Sequence, residues 1–267
     1  MTVMHYRKSG KGPFVIILHG LYGMSDNWIG IARQLSEKYT VIVPDIRNHG
    51  RSFHHPEHSY QAMVQDLENL IAELGIAQFI LMGHSMGGKV AMQYALRHPE
   101  KLNGLIIVDI APVNYSTEVS HFAYHKHVLK SLMEVDPTRL VSRNEAFDLL
   151  SPMLPDEKLL NFLLKNLGAD AEGKLYWLLN IPVLLQSLPD MAGGFENSSN
   201  PESVSGFPVF FLKGEKSDYI ISAYHQQIMQ FFPAAEIIPV PNAGHWLHQE
   251  NPEAVSDIFK TFSHDAN

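Results

Sequence analysis

The sequence predicts an α/β domain, a mostly parallel sheet with helices on both faces. Three observations predict it. Short runs of uninterrupted apolar residues alternate with stretches of helical periodicity through the first 110 residues. The runs are apolar at every position, as expected of strands buried on both faces. The same alternation returns after residue 206.

In order, Phe14-Val15-Ile16-Ile17-Leu18 is the first clear strand and ends at His19-Gly20. Asp26 or Asn27 can cap a helix carrying Trp28, Ile31, Ala32 and Leu35. Tyr39 to Val43 is a second buried strand, ended by Pro44-Asp45. Ser59 can cap a helix whose apolar positions Met63, Leu67, Leu70, Ile71 and Leu74 recur at helical spacing, and Gly75 stops it. Phe79 to Met82 is a strand, Val90 to Leu96 a helix and Leu105 to Val108 a fourth strand. Strands joined by helices of this length make parallel crossover units. In the tail, Pro208–Leu212 and Glu236–Val240 are strands, and Tyr224–Phe231 and Pro252–Phe262 helices. Residues 112–205 break the pattern. Candidate helices are Glu118–Met133, Arg143–Leu150, Asp156–Leu167 and Lys174–Leu188, with no strand run between them, and Met191–Glu202 has the composition of a loop. The expected organisation is a core of residues 1–111 and 206–267 carrying a helical cap at 112–205.

With 267 residues, 45% hydrophobic and only 18% charged, the chain can bury a large core and is not intrinsically disordered. It has no cysteine, which excludes disulfides, thiolate nucleophiles, Cys-ligated zinc and iron–sulfur clusters. The net charge of −8, without a basic cluster, disfavours nucleic acid as a partner. No apolar run approaches the length of a membrane span, and the N-terminus shows no secretory signal, so the expected location is cytoplasmic. Oligomeric state is not legible.

The most informative stretch is Gly83-His84-Ser85-Met86-Gly87-Gly88-Lys89, a G-x-S-x-G motif between a predicted strand and a predicted helix. That context is what a nucleophile elbow requires. A serine on so sharp a turn takes a strained conformation, and the positions two before and two after it must lack side chains. Gly88 would let the helix approach the sheet. A serine hydroxyl needs a general base, usually histidine at neutral pH. His245, in Asn242-Ala243-Gly244-His245-Trp246 just past the last strand, is the candidate, with His248 as fallback. An oxyanion hole needs two converging backbone N–H groups. Met86 after the serine and Leu21 in His19-Gly20-Leu21-Tyr22-Gly23 are the candidates.

These segments carry a resemblance to the α/β-hydrolases. The elbow, Val108-Asp109-Ile110-Ala111-Pro112-Val113, Pro241-Asn242-Ala243-Gly244-His245-Trp246 and Pro44-Asp45-Ile46-Arg47-Asn48-His49-Gly50-Arg51-Ser52 resemble a subgroup of small acyl-esterases and thioesterases with bacterial members and a mitochondrial relative. The resemblance implies seven or eight strands, a helical cap over the serine, and the chain order Ser, acid, His. It also implies a loop-ordering role for Asp45 and Arg47. The superfamily's commoner acid follows the penultimate strand in a Gly-x-x-Asp turn. Here Gly214-Glu215-Lys216-Ser217-Asp218 puts serine at that place and Asp218 one residue late. Asp109, ending the strand after the elbow, is favoured, as in the resembled subgroup. Asp218 and Glu215 remain alternatives, and Ser217 can hydrogen-bond the base or the acid.

Other signals carry less weight. His49, His54, His55 and His58 read as a solvated loop, and His121 and His125, at i and i+4, as a cap-helix face; neither set implies a metal site. Lys89 is expected to pair with a carboxylate or, as the alternative, to face an anionic substrate group. Phe122, Trp177, Leu178 and Leu185 are expected in the cap interior. The expected function is hydrolysis of a small-molecule carboxylic ester or acyl thioester through an acyl-enzyme, with Ser85, His245 and Asp109 as the triad and no metal or organic cofactor. A C–C bond hydrolase or lyase on the same triad is the alternative, and a non-catalytic binding protein the third reading.

Overall fold

The computed structural model describes residues 4–116, 119–195 and 203–263. In chain order its elements are β1 (Tyr6–Ser9), β2 (Phe14–Leu18), α1 (Ile29–Leu35), β3 (Thr40–Pro44), α2 (Tyr60–Leu74), β4 (Phe79–His84), α3 (Met86–Arg97), β5 (Leu102–Val108), α4 (Val119–Met133), α5 (Arg143–Leu150), α6 (Glu157–Leu163), β6 (Leu167–Ala169), β7 (Leu175–Trp177), α7 (Ile181–Ala192), β8 (Val209–Gly214), α8 (His225–Phe231), β9 (Ala235–Val240), α9 (Leu247–Glu250) and α10 (Pro252–Asp257). Seven strands form one sheet in the order β1-β3-β2-β4-β5-β8-β9. In this sheet only β1 runs antiparallel to its neighbour.

The uninterrupted apolar runs have a simple cause. Successive side chains of a strand point to opposite faces, and both faces here are covered. Ile16 and Leu18 pack with α2, α3 and α8 on one side; Val15 and Ile17 pack with Trp28, α1 and α10 on the other. Local chemistry sets the helix limits. The Ser59 hydroxyl accepts from the Ala62 N–H at the start of α2, and Gly75, at φ 64°, ends it. The order reverses at β2, whose chain leaves to β3 on one side and returns to β4 on the other. In open α/β sheets that reversal opens a crevice at the carboxyl ends of the strands.

The segment between β5 and β8 has its own apolar cluster, drawn from α4, α5, α6 and α7, with Tyr22 and Trp246 of the sheet-bearing part packed against it. Two of its elements differ from the sequence expectation. The helix expected over Asp156–Leu167 stops at Leu163 and passes through a 3-10 turn, and the one expected over Lys174–Leu188 begins only at Ile181. Between them β6 and β7 pair as a short antiparallel hairpin, Leu167 opposite Trp177. The Asp170 carboxylate accepts from the Glu172 and Lys174 N–H groups, and Gly173 supplies the positive φ of the turn. Strands of three residues are too short to leave a periodic signal. Residues 117–118, which include the expected helix start Glu118, and most of the expected loop to Glu202 (196–202) lie outside the described residues.

Candidate active site

The carboxyl ends of β2, β4, β5, β8 and β9 converge on one crevice. Ser85 follows β4 at φ 51° and ψ −116°, a conformation strained for a residue with a side chain. The flanking glycines are sterically required. A Cβ on Gly83 would lie 2.2 Å from the Gly87 carbonyl oxygen, and one on Gly87 would lie 2.5 Å from that of His19. A Cβ on Gly88 would meet Ile110 Cγ2 at 2.5 Å, so α3 sits close against the neighbouring chain.

Ser85 Oγ donates to His245 Nε2 at 3.1 Å, and His245 Nδ1 donates to Asp109 Oδ2 at 2.8 Å. Asp109 is wholly buried and has φ 51°. Its N–H is held by Leu212 O, its Oδ1 accepts from the Gly214 N–H at 2.9 Å, and its Oδ2 also accepts from Ser217 Oγ. These bonds fix the carboxylate and aim the imidazole. The other candidates lie elsewhere. The Asp218 side chain is 75% exposed and stands 3.4 Å from His121 Nε2. Glu215 accepts from the Asn242 N–H. His248 is stacked on Trp28 with ring centroids 4.4 Å apart, and burial pushes its pKa down to about 3. A hydroxyl, imidazole and carboxylate in series can move a proton off the hydroxyl as it attacks a carbonyl.

Leu21 and Met86 flank the serine. Among the described residues neither N–H has a hydrogen-bond partner, and both residues border the same cavity beside Ser85. The Leu21 loop is held from two sides. Asn166 Nδ2 of the inserted segment donates to Tyr22 O at 2.8 Å. His19, behind the loop, donates from Nδ1 to Gly20 O and accepts at Nε2 from the Ile46 N–H. That pair of bonds requires a neutral ring, in line with the lowering of its pKa by burial. His84 in the elbow is likewise buried, with its pKa well below the usual histidine value. It donates from Nε2 to His245 O at 2.8 Å and so supports the backbone of that residue.

Sequence reasoning missed Tyr219. Its ring lies 4.0 Å from that of His245 at 23°, and its hydroxyl is 3.0 Å from His125 Nε2. His125 Nδ1 in turn lies 3.1 Å from Tyr22 Oη. One hydrogen-bonded chain thus joins the Leu21 loop, α4 and the neighbour of His245. An aromatic residue beside Asp218 was the only available signal, and it does not reveal a stack formed across the fold.

His121 and His125 share a face of α4, and that face lines the cavity. In the histidine-rich loop His54 and His55 are exposed, but His49 and His58 are buried, with their rings 5.5 Å apart. Lys89 is also buried. Its ammonium donates to the carbonyls of Val113, Ala192 and Gly193. Asp45 accepts from the Ser25 and Arg51 N–H groups, and Arg47 makes a two-bond contact to buried Asp66, so both order loops beneath the crevice.

Residues 13–252 match the family model described as the alpha/beta hydrolase fold. The chain is 37% identical over 256 residues to the mouse (Mus musculus) sn-1-specific diacylglycerol lipase ABHD11, covering 94% of this chain and 80% of that protein. It is 31% identical over 253 residues to esterase YbfF of Escherichia coli strain K12, covering 94% and 93%. A solved marine microorganism esterase superposes with a TM-score of 0.92 at 36% identity, covering 98% of this chain and all of that one. On the match to the family model and the identity to these relatives, the chain belongs to the α/β-hydrolase family.

Proposed function

We propose that the protein is a serine hydrolase that cleaves small carboxylic esters through an acyl-enzyme. The observation that carries this is the series Ser85 Oγ, His245 Nε2, His245 Nδ1 and Asp109 Oδ2, with separations of 3.1 and 2.8 Å. His245 takes the Ser85 proton as Oγ attacks the carbonyl carbon. The Leu21 and Met86 N–H groups receive the oxyanion, the more effectively because Met86 opens α3 and lies at its positive end. His245 then protonates the leaving oxygen, and in the second half it activates water to release the acid. Asp109 holds the Nδ1–H tautomer throughout. Residues 112–205 act as a cap that roofs the crevice through α4 and α6. Relatives named as esterases and lipases support ester cleavage.

A fluorophosphonate probe tests this directly. It should label Ser85, identified by peptide mass, and block hydrolysis of p-nitrophenyl butyrate. Ser85→Ala should lose both labelling and turnover. Failure of the wild-type protein to react would overturn the assignment in favour of a binding protein on the same fold. Rapid cleavage of a vinylogous diketone, with no ester turnover, would favour the C–C hydrolase.

A further inference from the structure

The crevice divides at Ser85 into two lobes that share Leu21, Ser85, His121, His125 and Tyr219. The wide lobe, about 330 Å³, has His245 and Trp246 in its wall. The narrow lobe, about 60 Å³, does not reach His245; beyond the shared residues its lining includes Met86, Lys89, Phe122, Leu188, Met191 and Ala192. We propose that the narrow lobe holds the acyl chain and the wide lobe the leaving alcohol, so that the enzyme selects short acyl groups carried on bulky alcohols. This rests on the serine-hydrolase reading.

The argument is one of direction around a tetrahedral carbon. When the Ser85 Oγ–C bond has formed, the carbon carries the serine oxygen, the oxyanion, the leaving oxygen and the acyl chain. The oxyanion points to the Leu21 and Met86 N–H groups. The C–O bond to the alcohol breaks only as His245 Nε2 returns the Ser85 proton to that oxygen, so the alcohol lies on the imidazole side. That is the wide lobe. The acyl chain takes the remaining direction, along Met86 into the narrow one. Water then adds to the acyl carbon and gives its proton to His245. The Oγ–C bond breaks, Oγ regains that proton, and the free acid leaves.

The narrow lobe also sets a length. One water-sized group needs about 10–15 Å³ of such space, so 60 Å³ accepts about four to six heavy atoms. Part of its wall comes from the last turns of α7 and from α4, both in the segment that the sequence left least defined.

The test is kcat/KM on p-nitrophenyl esters from acetate to decanoate. The wild type should peak between butyrate and hexanoate and fall about tenfold or more by decanoate. Leu188→Ala and Met191→Ala should move the peak longer by about two carbons, the room that each truncation opens. In case these variants fold poorly, Ala192→Leu fills the lobe from a site that is not fully buried. It should lower hexanoate about tenfold more than acetate. Tyr124→Ala, at a half-exposed wall of the wide lobe, should alter the ratio of p-nitrophenyl to 1-naphthyl butyrate and leave the chain-length peak in place. A wild-type peak at octanoate or longer overturns the proposal. So does an unchanged hexanoate-to-acetate ratio in Ala192→Leu, or a peak moved by Tyr124→Ala. If Ser85 is labelled by fluorophosphonate while any of these occurs, the hydrolase reading stands and the lobe assignment falls. If Ser85 is not labelled, both fall.

Discussion

Replacing Asp109 with asparagine keeps shape and removes charge, and the three donors around the carboxylate set the cost. One carboxylate oxygen accepts from His245 Nδ1 and Ser217 Oγ, the other from the Gly214 N–H. An amide, by contrast, has one acceptor and one donor end. With its NH₂ toward His245, the imidazole must accept at Nδ1 and carry its proton on Nε2. It then faces Ser85 with a donor, and no base is available. With its NH₂ toward Gly214, two buried N–H groups oppose each other, which costs about 1–3 kcal/mol. The first orientation avoids that clash at Gly214, so kcat should fall about 10⁴-fold, equivalent to about 5.5 kcal/mol. Asp218→Asn removes only an exposed contact to His121, in the range of about 0–1 kcal/mol, and kcat should stay within about twofold. The assay is steady-state hydrolysis of p-nitrophenyl butyrate, with Tm measured in parallel to separate folding from chemistry. If Asp109→Asn stays within about tenfold of wild type while Asp218→Asn loses several decades, the geometric reasoning is refuted.

Three further outcomes are expected. Burial pushes His58, His125 and His248 down to about 3. All three are neutral when folded and bind protons when unfolded below about pH 6.5, so their linkage leaves stability intact above that pH and removes it as the pH falls toward 3, up to about 2 kcal/mol each by pH 5. Urea unfolding at pH 7.5 and pH 5 checks the slope, which His248→Phe should flatten by about one proton; equal stability at both pH values would contradict it. Tyr219→Phe keeps the ring stacked on His245 and loses only the His125 bond, so kcat should fall a few-fold, whereas Tyr219→Ala frees the imidazole and should cost about 10²-fold. Equal losses in the two variants would show that the ring stack is irrelevant. Gly83→Ala drives a Cβ into backbone 2.2 Å away, and Tm should drop along with fluorophosphonate labelling of Ser85; a fully active, stable variant would count against the required glycine.

What the sequence determined by itself was local. Uninterrupted apolar runs and helical spacing marked the strands and helices of the sheet-bearing part, since burial on both faces leaves no polar position to break a run. Gly83-His84-Ser85-Met86-Gly87 marked the serine because so tight a turn tolerates no other residues at its flanks, and a Gly-His turn after the last strand marked His245. The acid was left open because three carboxylates, Asp109, Glu215 and Asp218, follow the ends of two strands, and reach and aim are set by the neighbours. Only when β5 and β8 pair do the Gly214 N–H and Ser217 Oγ turn onto Asp109, leaving Asp218 to face solvent. The inward turn of His121 and His125, the Tyr219 stack, the Asn166 contact to the Leu21 loop and the carbonyls around Lys89 have the same origin. Each joins residues distant in sequence, and a helix spacing specifies which side chains share a face without saying what that face will meet. The tertiary structure decided that, and with it which groups surround Ser85.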